Sequence, residues 1–493
     1  MSSASPLAQT ADDAGAPSEA KGRAGRQVRV LFQLPYPGYL RMYGSTVALL
    51  ADRGHKVLLS YDAPEKRRDA PADELEAHEN VELVSPLPPA GRRFEDAILK
   101  LRQAMDFIRY LDPRFAEAPY LRKRVERNLP DRLRFLARAP SAIPFSGVAT
   151  RVMLGLERLV PSDGGVERAI LGSEPDVVLV TPLIGRTPAG IRQTDTVKAA
   201  RRLGVPVGVA VASWDQLTTK GLVKVLPDRV FVWNEGQKRE AVDLHRARAA
   251  DVVVTGAQLF DGWFAREPST SRATFLERIG LDPAVQYVLY AGSSRAIAPA
   301  EKEIPFVRGW LDALRGSGDD SLSGLGVLIR PHPGNVEEWA QVELADARTA
   351  IVPKARPNIP MSSEDEALYY DSIHFSAAVV GINTSAMVES FIQRRPVLTI
   401  SDPRFHETQG GTLHFQHLLP SSGGAVQHAA TLDEHHVQLR AALDEPDGHR
   451  ASIESFLRTF VRPHGLDVPA TPILVDAIEE LATLARLRGS TPS

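Results

Sequence analysis

The chain of 493 residues contains no cysteine. That excludes disulfides, thiolate metal sites and a cysteine nucleophile, and it fits a cytosolic protein. No run of about 18 apolar residues exists, so no transmembrane helix is expected. The start, Met1–Arg26, is rich in Ala, Ser, Gly and Asp and lacks the apolar core of a secretory signal. Residues 1–27 therefore read as a disordered tail. Neither sign of charge dominates: 58 Lys and Arg against 61 Asp and Glu leave a net charge of −3. The molecule as a whole carries no nucleic-acid footprint, and no nucleic-acid partner is expected. No internal repeat of fixed period is visible. No D-x-D metal cluster presents itself either, since Asp12-Asp13 and Asp319-Asp320 lie in loop-like segments without suitable partners. No metal and no cofactor are expected. What is present is an ordinary globular composition, 43% hydrophobic and 24% charged, long enough for two or three domains.

The most informative stretch is 326–400. Val327–Ile329 is a short apolar strand pattern running into Arg330-Pro331-His332-Pro333-Gly334. Ala377–Ile382 is a second, running into Asn383-Thr384-Ser385 and the helix Ala386–Gln393. Pro396–Ile400 is a third strand. Apolar strands alternating with helices indicate a parallel sheet covered on both faces, and ligands bind such sheets beyond the carboxyl ends of the strands. Both polar turns fall there. Asn383, Thr384 and Ser385 either cap the helix or, with its N–H groups and dipole, hold an anion. Arg330-Pro331-His332 is either a stiff turn or adds cationic and donor groups to the same anion. Upstream, Gln286–Ala291 is a strand whose loop, Gly292-Ser293-Ser294-Arg295, suits close approach by a phosphate. Together these features point to a nucleotide-diphosphate site.

The amino-terminal half shows the same alternation. Val28–Leu34, the loop Pro35–Leu40, the helix Met42–Arg53 and the strand His55–Tyr61 open a Rossmann-like domain. The loop lacks G-x-G-x-x-G, so Pro37, Gly38 and Tyr39 either face an acceptor or form a plain turn. Strand patterns recur at Pro175–Thr181, Pro206–Ala212, Arg229–Trp233 and Asp251–Thr255. Between them, Arg92–Ala139 reads as helical and arginine-rich. A basic amphipathic helix of this kind lies on an anionic membrane surface, covers the first sheet, or greets an anionic acceptor through Arg127–Arg138. The expected organisation is a domain at 28–265 with the helical insertion at about 92–160, a second at 266–465, and a helix at 466–493 crossing back onto the first.

The order Pro-Tyr-Pro-Gly-Tyr, Ser-Trp-Asp, Gly-Ala-Gln-Leu-Phe-Asp, then Ala-Gly-Ser-Ser, Arg-Pro-His-Pro, Gly-Ile-Asn-Thr-Ser-Ala-Met-Val-Glu and Arg-Pro-Val-Leu resembles the GT-B superfamily of nucleotide-sugar glycosyltransferases. It is similar above all to bacterial members with a His-Pro motif and a Ser/Thr pair: sialyltransferases, capsule Kdo transferases and CDP-glycerol glycerophosphotransferases. The likeness runs over about Val28 to Leu487, apart from the insertion. It implies an α/β fold of two Rossmann-like domains flanking a cleft. It also implies a metal-independent transferase moving a group from a nucleotide-activated donor to a cell-surface glycan or glycolipid, at the cytoplasmic side and with peripheral membrane contact where the basic helices allow it. By that resemblance His332, Thr384 and Ser385 hold the donor phosphate and Glu389 meets the donor ribose. The E-x₇-E pair of many retaining members is absent, since position 397 is Val, which leaves the stereochemical outcome open. Asp215 is either a base for the acceptor hydroxyl or a loop cap. Lys220 pairs with it or binds acceptor charge, and His414 lines the cleft or is structural. The alternatives are a GT-B-like sugar-nucleotide 2-epimerase and a non-catalytic sugar-nucleotide-binding protein.

Overall fold

The computed structural model describes residues 26–65, 71–127, 129, 131–138, 146–184, 188–355 and 362–489. All but the last residues of the expected N-terminal tail lie outside them. Seven strands form a first sheet: β1 (Arg29–Leu34), β2 (Lys56–Tyr61), β3 (Val81–Leu83), β4 (Val177–Val180), β5 (Val207–Ala210), β6 (Arg229–Val232) and β7 (Val252–Val254), in the order β3-β2-β1-β4-β5-β6-β7. Six more form a second: β8 (Tyr287–Ala291), β9 (Gly326–Arg330), β10 (Thr349–Ile351), β11 (Ala378–Gly381), β12 (Val397–Ile400) and β13 (Gln427–Ala429), in the order β10-β9-β8-β11-β12-β13. Every pairing is parallel. In each sheet the order runs outward from the first strand and then reverses, so a switch point falls between β1 and β4 and between β8 and β11. That is where a doubly wound sheet opens a crevice at its carboxyl edge.

The strands read as continuous apolar runs because helices cover both faces. Leu31 joins one core layer of the first sheet and Val30 and Phe32 the opposite one. The helix Ala470–Gly489 lies on that sheet, with Leu474, Val475, Ile478 and Leu481 in the same core as Val30 and Phe32. Gly208 permits the approach: a Cβ there would stand 2.8 Å from Leu481 Cδ2 and 2.7 Å from Phe231 Cε2. Asp261 caps the returning segment by accepting from Ala470 N at 3.0 Å and Thr471 N at 2.7 Å, and it pairs with Arg462 at 2.9 Å.

The arginine-rich insertion is broken into the helices Glu95–Arg109 and Pro119–Glu126 and a 3-10 turn at Asp131–Arg138, around its own small core of Phe107, Tyr110, Phe115, Leu121 and Val125. The break falls at Asp112-Pro113, where proline removes a donor and Asp112 caps the next turn. Two of its arginines serve packing. Arg102 is fully buried against Glu157 and Asp195, each at 2.8 Å. Arg109 is buried and donates to the carbonyls of Leu217 and Gly221. The cover reading thus fits Arg102 and Arg109. The helix Ser146–Leu159 leaves Val148, Val152, Leu156 and Leu159 exposed. Among the described residues no helix is long and apolar enough to cross a membrane.

Candidate functional site

Three loops leave the carboxyl ends of the adjacent strands β9, β8 and β11, and a buried carboxylate ties two of them together. Glu303 lies on the helix Ala300–Arg315. Its Oε1 accepts from Ser293 N at 2.8 Å and the Tyr290 hydroxyl at 3.3 Å. Its Oε2 accepts from Trp339 Nε1 at 3.1 Å and Asn335 Nδ2 at 3.3 Å. Burial raises the Glu303 pKa to about 7 against the pull of those donors. Asn335, which closes the turn begun by Arg330 and His332, also donates to the carbonyls of Ala298 at 2.8 Å and Ser293 at 3.3 Å. The third loop is tied in by Asn383 N, which donates to Ser293 Oγ at 3.2 Å. Gly292 is required where β8 ends: its N–H donates to Arg330 O at 2.9 Å, and a Cβ would stand 2.8 Å from His332 N and 3.1 Å from Pro331 Cα.

His332 and Ser385 therefore lie in the loops that follow β9 and β11, the strands that flank β8 and are about 10 Å apart at ordinary strand spacing. His332 Nδ1 accepts from Gly334 N at 3.0 Å. The neutral ring thus carries its proton on Nε2, which makes that atom the donor. Arg330 is buried, lies 5.0 Å from the centre of the Tyr369 ring and donates to Leu368 O at 3.4 Å. No carboxylate among the described residues lies within ion-pair distance of it. Burial lowers its pKa to about 10. Tyr369 also donates its hydroxyl to Glu389. Burial raises the Glu389 pKa, opposed by Tyr369 and by the charge of Arg41 from the first lobe.

Several sequence-predicted roles look different in place. Ser385 does not cap its helix: its backbone is already helical and its hydroxyl makes no cap bond, while the helix Ala386–Ile392 has 7 residues, a short dipole. The exposed Ser385 hydroxyl instead accepts from Trp214 Nε1 of the first lobe at 3.2 Å. Thr384 is half-buried beside it, its hydroxyl 3.5 Å from Ala386 N. Asn383 turns its side chain away, donating to Thr408 O at 2.8 Å, so it organises the loop behind the site. Ser294 starts a turn through its carbonyl, which accepts from Ile297 N at 2.8 Å. Arg295 is exposed and donates to Gly334 O at 2.8 Å and pairs with Glu338, bridging the β8 and β9 loops.

On the facing lobe, Pro37–Tyr39 is a 3-10 turn with Pro37 and Gly38 buried, and Tyr39 packs edge-on against Tyr36 at 5.1 Å. Burial and the neighbouring Tyr36 push the Tyr39 pKa up to about 12. Asp215 follows β5. Its carboxylate accepts from the Ser213 hydroxyl at 2.6 Å and the Thr219 hydroxyl at 2.9 Å, and Lys220 stands 3.6 Å away. Burial alone would raise its pKa; Lys220, His414 and the two hydroxyls outweigh that and hold it well below the usual carboxylate range. A carboxylate so stabilised is a weak proton acceptor at neutral pH; its side chain makes no cap bond to the helix Gln216–Thr219 and ties the loop through the two hydroxyls instead. His414 is buried, 4.9 Å edge-on from Trp214 and 3.3 Å from Asn383 Nδ2. Burial lowers its pKa to about 4, against the pull of Asp215, so it is neutral and packs the lobe interface.

Glu303, Tyr369 and Arg41 carry no assignment from the sequence. A signal existed for the first: Glu303, Phe306, Val307, Trp310, Leu311 and Leu314 form one helical stripe, and a carboxylate on an apolar stripe needs partners. Among the described residues no group of three His, Asp or Glu side chains is placed to hold a metal ion.

No protein-family model matches the sequence, and no curated protein matches it. Solved structures match its architecture. S. aureus MnaA in a co-structure with UDP shares 13% identity over 95% of this chain and 99% of that one, with a TM-score of 0.51. A UDP-N-acetylglucosamine 2-epimerase shares 12% over 95% and 99%, at 0.50. A glycosyltransferase from Rickettsia africae ESF-5 shares 10% over 94% and 99%, at 0.50. At such identities the likeness is one of architecture, and two parallel doubly wound sheets with a helix returning onto the first are the GT-B fold.

Proposed function

We propose that the chain is a glycosyltransferase, or a glycerophosphotransferase-like enzyme, that binds a nucleotide-activated donor on its second lobe and moves the activated group to a glycan or glycolipid held from the first. The observation that carries this reading is the convergence of the Gly292–Ser294 loop, the Arg330–His332 turn and the Thr384–Ser385 turn at the carboxyl ends of three adjacent strands, facing Trp214. In this reading His332 Nε2–H and the hydroxyls of Thr384 and Ser385 donate to the donor's phosphate oxygens. Arg330 adds positive potential. Gly292 allows the backbone to come close, and Glu389, steadied by Tyr369, meets the ribose. Such a site stabilises the negative charge that grows on the departing phosphate. Tyr39 and Lys220 face the acceptor.

A thermal-shift series with CMP, CDP, UDP, GDP and ADP tests the binding half. A ligand at about 100 times its Kd stabilises the native state by about 2.7 kcal/mol. A cytidine preference points to the sialyl, Kdo or glycerophosphate branch and a uridine preference to ordinary sugar transfer. Absence of any shift refutes the nucleotide site. His332→Ala is expected to lower turnover about 10²-fold or more while the melting transition is kept; unchanged turnover refutes its role. The epimerases among the structural matches support a second reading, sugar-nucleotide 2-epimerisation. Incubation with UDP-N-acetylglucosamine and no acceptor distinguishes it, by formation of the 2-epimer. Donor binding with no turnover under either condition would leave a sensor protein.

A further inference from the structure

We infer that the cavity between the arginine-rich insertion and the rim of the second sheet is a binding site for a ligand carrying several phosphate charges. On the transferase reading, that ligand is the acceptor. The cavity has a volume of about 650 Å³ and is lined from the first lobe by Tyr120, Arg124 and Arg127, and from the second by Arg295, Lys302 and Arg404 among others. That volume suits an organic ligand of several rings or a short oligomer. Five cationic side chains meet there in a molecule whose net charge is −3, so the positive field is local. The single carboxylate on the wall, Glu407, is already paired with Lys123. Arg295 and Arg404 have their own partners in Glu338 and Asp402. Arg124, Arg127 and Lys302 have no carboxylate within ion-pair distance among the described residues, and Arg124 Nε is buried without a hydrogen-bond partner. Three cations without a carboxylate partner, drawn from two lobes, are what a polyanion needs.

The cavity also adjoins the nucleotide site. Arg295 belongs to the loop that begins at Gly292. Thr408, on the cavity wall, accepts from Asn383 Nδ2 through its carbonyl at 2.8 Å and donates its hydroxyl to Ile297 O at 2.7 Å. A polyanion here would pull the insertion against the second lobe, beside the existing bond from the Tyr120 hydroxyl to Ala296 O.

The test is calorimetric titration of the full chain with inorganic tripolyphosphate and, separately, with a glycerol-phosphate oligomer of equal charge, at two salt concentrations. Both should bind, more weakly at high salt because exposed charges are screened, and the oligomer more tightly because it fills the cavity. Arg124→Gln/Arg127→Gln should weaken both about tenfold or more, since a charge-assisted contact is lost at each position. Lys302→Gln, an exposed position that leaves folding intact, should weaken them on the other wall. No binding by wild type at low salt, or no change in either variant, overturns the inference. Competition by UDP or CDP that these variants abolish would assign the cavity to the nucleotide and overturn the acceptor assignment. Nucleotide shifts that persist while polyanions fail leave the transferase reading standing without this site. Polyanion binding with no nucleotide shift leaves the cavity standing and removes the transferase reading.

Discussion

Replacing Glu303 with glutamine asks which of two opposed effects governs the carboxylate beneath the site. Four donors converge on it, from Ser293 N, Tyr290, Trp339 and Asn335. Burial pushes the other way and, as the larger effect, lifts its pKa from 4.5 to about 7. A folded-state value above the unfolded one means that the native chain binds more protons between those two pH values. Stability therefore falls as pH rises across that window. The difference of about 2.5 units amounts to about 3 kcal/mol, present below pH 4.5 and lost by pH 7 to 8. Glutamine has no such titration. Its NH₂ meets donors where an oxygen stood, which costs about 1–3 kcal/mol. Wild type should thus exceed Glu303→Gln by that amount near pH 5, and the gap should close or reverse toward pH 8. Urea denaturation followed by tryptophan fluorescence at four pH values from 5 to 8 reads the difference directly. A gap that is constant, or that widens with pH, would show that the four donors outweigh burial and that the carboxylate is held as an anion. That result refutes the reasoning.

Two further expectations concern Gly292 and Asp215. Gly292→Ala places a methyl against the backbone of Pro331 and His332, which cannot move aside as a side-chain tip could. It should cost about 1–3 kcal/mol and weaken the best nucleotide of the thermal-shift series at least about tenfold by titration; wild-type affinity would show that the loops are not held in register by this contact. Asp215, held charged well below neutrality, should contribute no limb to the pH–rate profile between pH 5 and 8. Asp215→Asn should lower stability by loosening the Ser213–Lys220 loop while leaving the profile's shape unchanged; disappearance of a limb in the variant would reinstate it as the base.

Much of the frame was legible because doubly covered parallel strands must be apolar on both faces. Val28–Leu34 and Asp251–Thr255 differ from the observed β1 and β7 by no more than one residue at either end. The second sheet was incomplete in that reading. Its edge strands, Thr349–Ile351 and Gln427–Ala429, have three residues each and carry polar side chains, so no apolar run marks them. The helix Ser363–His374 escaped because its first turn is acidic and its buried residues, Tyr370 to Ile373, are consecutive and form no stripe. At the site, the polar turns were visible because they interrupt apolar strands. What those side chains do was not, because it depends on partners far away in the chain. Ser385 meets Trp214 across 171 positions, and Asn383 turns to Thr408. Nothing local in Asn-Thr-Ser distinguishes a hydroxyl facing the opposite lobe from one capping its own helix.

Arg330 supplies the strongest energetic argument for an anion at the end of β9. Burial lowers its pKa from 12.5 to about 10, so it stays charged at neutral pH while the fold carries a penalty of about 3 kcal/mol. The Tyr369 ring, the Leu368 carbonyl and the charge of Asp365 offset part of the desolvation, and no carboxylate among the described residues lies within ion-pair distance to offset the rest. Were packing the whole purpose, an apolar side chain of similar length would fill that volume without the cost. On the proposed reading, an arriving phosphate recovers the penalty as binding. In that reading His332 complements it differently: with Nδ1 accepting from Gly334 N, it is Nε2–H that donates to that phosphate. A fixed cation beside neutral donors acts more strongly on a phosphate as its charge grows than on the bound donor before the bond breaks. That difference between the two states, rather than tight binding itself, is what lowers a barrier to transfer.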